Sequence, residues 1–87
     1  MTTTTTVAPR RDRLRAAYVR LDEAQAVRDA YHAVLTRRLD EQAMARRFGD
    51  PDWVARSGRE VRAARLQLEF ADAALTAAVR AVDKLEA

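Results

Sequence analysis

From Val54 to Leu85 the apolar and small residues recur at alternating steps of four and three: Val54, Ser57, Val61, Ala64, Leu68, Ala71, Leu75, Ala78, Val82 and Leu85. Steps of three and four keep one stripe on one side of an α-helix, whereas a strand would bring every second residue to the same face. One set of positions holds Val or Leu, and the other holds Ser or Ala until Leu85 closes the series. Small residues in every other layer allow a second helix axis to come close, as in alanine-rich antiparallel pairs. The first half of the chain has the same period in Leu14, Ala17, Leu21, Ala24, Tyr31 and Leu35. Arg28 interrupts it, and Val27 and Val34 are expected to take over beside it. Neither half contains an internal proline, and only Gly58 weakens a helix interior.

The two halves meet at "RRFGDPDW", residues 46 to 53, where each residue suits a helix end. Arg46 and Arg47 place cations on the negative pole of the first helix, and Gly49 fits the left-handed position that ends it. Asp50 caps the second helix, Pro51 belongs in its first turn, and Asp52 puts a carboxylate near its amides. The expected fold is therefore all-α: helices over about 9–48 and 51–86, a bend at 49–50, and arms of ~50 Å at 1.5 Å per residue. Residues 1–8, "MTTTTTVA", read as a disordered threonine-rich tail. The first helix is expected to start near Pro9 or Asp12, with Pro9 in the first helical position and Asp12 as a later cap. Arg10, Arg11, Arg13 and Arg15 then face the positive pole of their own helix, which predicts fraying or an acidic partner.

The second helix carries another stripe, Leu66, Phe70, Ala73 and Ala77, which falls opposite the 54–85 series on a helical projection. A two-helix hairpin covers only one side of such a helix. The expected cover is a second copy of the chain, giving a four-helix bundle; a different helical protein is the alternative. Phe48 and Trp53 either close the end of the helix pair or form an aromatic anchor flanked by arginines, residue types enriched at binding hot spots.

Composition narrows the chemistry. At 87 residues the sequence makes one domain at most, with a thin core that self-association would supplement. The absence of cysteine excludes disulfides, thiolate metal sites and cysteine nucleophiles. No apolar run approaches the ~20 residues of a membrane span, and Met1 to Ala8 lacks the pattern of a secretory leader, so the expectation is a cytoplasmic protein with no membrane partner. Fifteen arginines stand against one lysine, a skew that GC-rich coding produces, and the net charge is +3. The bend end is basic and the last third of the chain mildly acidic.

Asp29 and His32 have the carboxylate-x-x-histidine spacing of bundle di-iron sites, but the second helix has no matching motif and His32 is the only histidine, so no metal is expected. Asp22–Glu23 and Asp40–Glu41 are neighbours whose side chains diverge around the helix. Ser57 lies on the seam with no histidine near it, and two glycines cannot make a phosphate loop. No catalytic residue, cofactor or small-molecule substrate is expected.

Arg56, Arg59, Arg62 and Arg65 advance by threes and are candidate phosphate contacts; the competing reading pairs them with Glu60, Asp40 and Glu41. Secreted helical hairpins of the WXG type share this size and architecture, with a tryptophan at the bend. Here "DPDWVARSG" has no glycine two residues after Trp53 and "AVDKLEA" no tyrosine motif, so membership is not assigned. Small plasmid-type hairpin dimers that bind RNA are analogous in fold alone. The functional expectation is a non-enzymatic, self-associating helical module, an accessory, adaptor or regulatory subunit of a larger assembly. The alternative is a nucleic-acid-binding hairpin using the arginine-rich bend.

Overall fold

The computed structural model describes residues 9–87. Two helices, α1 (Arg10–Phe48) and α2 (Pro51–Glu86), form an antiparallel hairpin. At 1.5 Å per residue the arms are ~58 and ~54 Å long. The tail expected over residues 1–8 lies outside the described residues.

The turn takes two residues because each does one job. Gly49 adopts φ 72°, the left-handed conformation that a Cβ disfavours, and its amide donates to the Ala45 carbonyl at 2.9 Å. Asp50 is extended, and its carboxylate accepts from the amides of Asp52 at 3.0 Å and Trp53 at 3.3 Å. Pro51 has no amide hydrogen, so these two bonds satisfy the free donors of the first turn of α2.

At the other end of α1, Pro9 stands at the cap rather than inside the first turn. Its carbonyl accepts from the amides of Asp12 and Arg13, and no side chain caps this helix. One of the arginines crowded at this positive pole is accommodated across the hairpin. Arg10 reaches α2 and donates through Nε at 3.1 Å and Nη2 at 2.6 Å to the Leu85 carbonyl. A cation thus meets an orphan carbonyl on the negative pole of the neighbouring helix. Arg10 alone finds this partner; Arg11, Arg13 and Arg15 are exposed and join no ion pair among the described residues.

All ten residues of the 54–85 series are buried or half-buried. On α1 the seam differs from expectation. Val27 does not replace Arg28 and is 48% exposed, whereas Arg28 keeps the seam position, half-buried, and the series runs on through Arg38, Gln42 and Ala45. Arginine can do this because its methylene stem packs against apolar surface while its head reaches water. The Arg28 Nε donates to the Asp72 Oδ1 at 3.0 Å, tying α1 to α2.

Counted outward from the Gly49–Asp50 bond, the two seam series are mirror images. Ala45 therefore faces Val54, Leu35 faces Ala64, Ala24 faces Leu75, Leu21 faces Ala78 and Ala17 faces Val82. In these five layers a large residue lies level with a small one, which suits close axial separation, while Tyr31 with Leu68 and Leu14 with Leu85 pair large with large. Among the described residues the buried apolar side chains are Ala17, Ala45, Val61, Ala64, Ala71 and Val82, which lie along one narrow seam.

Candidate functional site

The same geometry gives the hairpin two unlike flanks. On one flank the phenol of Tyr18 donates to Glu86 Oε2 at 2.7 Å, Arg28 holds Asp72, and Gln25 donates to Asp29 at 3.2 Å. This flank is polar and tied from helix to helix. The Tyr18 phenol titrates above its ordinary value. Its hydrogen bond to Glu86 is the main cause, followed by partial loss of hydration and the negative charges of Glu86 and Asp83.

The opposite flank is open and apolar over its outer half. Ala17, Ala24 and Val27 of α1 and Ala71, Ala74, Ala77, Ala78 and Ala81 of α2 line a groove of about 520 Å³, with Arg20 and Glu23 on its α1 rim. A second depression of about 310 Å³ continues it toward the bend, sharing Val27, Ala71 and Ala74 and adding Tyr31, Gln67 and Phe70. Alanine makes the groove: side chains too short to span the two helices leave a trough between them. Nearer the bend the trough is crossed by charge, where Arg38 contacts Glu60 at 2.6 Å and Glu41 at 3.4 Å. Beyond this crossing the seven-residue steps from Val34 through Glu41 and from Gln67 through Glu60 bring Phe48 and Trp53 to the same flank. Their rings stack with centroids 6.0 Å apart and 23° between planes. Phe48 is 69% exposed and Met44 51%.

The predicted stripe divides on this surface. Phe70 and Ala77 stand on the groove's edge, while Leu66 and Ala73 lie further round α2 and line neither depression. Phe70 is 70% exposed. Sequence reasoning placed Ala17, Ala24 and Val27 on the seam rather than in a groove, and missed Ala74 and Ala81. The signal was present in the mirrored heptads: once the seam phases of both helices are known, the flanking positions Val27, Val34, Ala74 and Ala81 fall on one side.

Arg56, Arg59, Arg62 and Arg65 are all exposed and turn progressively around the outside of α2. Arg56 lies 3.9 Å from Glu60, whose main partner is Arg38. Arg59, Arg62 and Arg65 join no ion pair among the described residues, and Asp40 joins none either. Ser57 is buried with its hydroxyl donating to the Val54 carbonyl at 3.1 Å, a satisfied seam residue. Asp29 and His32 are both exposed, and no cluster of three potential metal ligands occurs among the described residues. No described helix is long and apolar enough to cross a membrane.

Comparison of the chain with protein-family models, curated proteins and solved structures gives no match.

Proposed function

We propose that the chain is a non-enzymatic helical interaction module that pairs with a second copy of itself through its grooved flank. The resulting four-helix bundle would act as an accessory, adaptor or regulatory part of a larger assembly. The observation that carries this reading is the alanine-lined groove with Val27 and Phe70 beside it, on the flank opposite the Tyr18–Glu86 and Arg28–Asp72 ties. A single seam of small residues is thin support for a domain of this size, and burying this flank adds the missing apolar area. A two-fold pair is the commonest way for a soluble chain to do so.

Light scattering across a concentration series tests the reading. The expected mass at high concentration is twice the 9.8 kDa of the chain. Phe70→Glu shifts the equilibrium toward monomer because a carboxylate stripped of water in an apolar interface costs several kcal/mol. Phe70 contributes nothing to the seam, so helix content stays unchanged. A 9.8 kDa particle at every concentration would sink the proposal.

The exposure and lack of ion pairing of Arg59, Arg62 and Arg65 favour a second reading, in which this row contacts nucleic-acid phosphates. Asp50, Asp52 and Glu60 weaken it by placing negative charge at the same end.

A further inference from the structure

We infer that the two copies run antiparallel across the grooved flank, each seating the Phe48–Trp53 bend in the alanine groove of the other. This inference rests on the self-association proposed above and adds its orientation and contacts. Bulk and void lie at opposite ends of one surface. At the bend end, Phe48 and Met44 stand out from the flank, 69% and 51% exposed, and the half-buried Trp53 stacks on Phe48. Toward the chain ends, the same flank sinks into a groove of about 520 Å³ lined by alanines.

A parallel arrangement would stack aromatic on aromatic and leave trough facing trough. Packed interfaces tolerate neither the overlap nor the void. A two-fold axis perpendicular to the arms brings bulk into void twice, once at each end. From Trp53 to the groove centre is about 25 residues, or ~38 Å at 1.5 Å per residue. The axis therefore crosses halfway, near Val34 and Ala64. Val34 is half-buried on this flank, beside the Arg38–Glu60 contact. The arms then overlap over most of their length. Trp and Phe are the side chains that anchor interfaces when lodged in such hollows.

The chain supplies its own probes, because Trp53 is the only tryptophan and there is no cysteine. One chain carries Trp53→Phe and a nitroxide on Ala81→Cys; it is unfolded and refolded with an unlabelled wild-type chain. Within one chain, residue 81 lies ~42 Å from residue 53 along α2. Quenching of the wild-type Trp53 therefore reports the partner's groove. The expected result is loss of most Trp53 emission in the mixed dimer, with little loss when the nitroxide is moved to Arg56→Cys at the bend. Quenching from Arg56→Cys alone would mean parallel packing and overturn the inference while leaving self-association standing. Unlabelled wild-type protein provides a check free of any label: Trp53 emission moves to shorter wavelength as concentration rises through the dimerisation range. A dimer whose Trp53 emission stays that of a solvated indole overturns the antiparallel seating alone, and a monomer at all concentrations overturns both proposals.

Discussion

Ala45→Leu is the sharpest test of the close-packed seam. Ala45 has 0% of its surface exposed and faces Val54, one turn from the bend. Leucine adds three carbons, and if space existed their burial would contribute about 0.8 kcal/mol each, roughly 2.4 kcal/mol in favour of folding. Neither depression described above reaches this layer, and the two-residue connection at Gly49 and Asp50 holds the helix axes together there. The leucine must then take a strained rotamer or push the arms apart, and overpacking of this kind costs about 1–3 kcal/mol net. For a domain of this size each kcal/mol moves the melting temperature by roughly 4–8 °C, so a fall on the order of 10 °C is expected. The assay is thermal unfolding followed by far-UV circular dichroism, at one fixed concentration because association couples to melting. Two controls locate the effect. Ala33→Leu, on an exposed position of α1, should leave the melt almost unchanged. Ala71→Leu, whose side chain borders the open groove, should cost far less than Ala45→Leu because the added carbons have somewhere to go. An Ala45→Leu protein that melts at or above the wild-type temperature would refute the large-against-small layering.

Arg28→Leu should raise the melting temperature by a few degrees. The Arg28–Asp72 pair, with side chains 35% and 52% exposed, is worth at most about 1 kcal/mol after solvent screening, and a leucine at a seam position buries more apolar surface. The Tyr18 phenol should titrate above the ordinary tyrosine value of about 10 when followed by ultraviolet absorbance in a Tyr31→Phe background, and Glu86→Gln should lower its midpoint. Because folding raises this pKa, the contribution of the contact is complete below the unfolded value and disappears as pH rises through the folded one. Binding to mixed-sequence DNA or RNA should be weak at physiological salt; submicromolar binding whose salt slope flattens by about three ions on joint removal of Arg59, Arg62 and Arg65 would promote the phosphate-binding reading.

The bend and the α2 seam were legible because their causes are local. Gly49 ends a helix through its own backbone freedom, Asp50 caps through bonds two and three residues away, and a heptad of Val, Leu, Ser and Ala declares which side of α2 is buried. Arg28, Arg38 and Gln42 hid the α1 seam because long polar side chains can occupy half-buried positions while their heads reach water or a carboxylate on the other helix. Their place becomes visible only when the α2 series is reflected through the bend.

By itself, then, the sequence determined a two-helix hairpin, its turn chemistry and the buried side of α2, all set by interactions within a few residues. Only the tertiary structure decided what happens between the arms. It brings Arg10 to the Leu85 carbonyl, turning an apparent electrostatic conflict at one helix end into a cap on the other. It also decides which flank is tied by Tyr18 and Arg28 and which opens into a groove. The exposed stripe of a single helix could not reveal that groove, because its walls come from both helices and its width is set by the separation of their axes. Axial separation depends on how residues far apart in sequence pack in each layer, a quantity that no single helix contains.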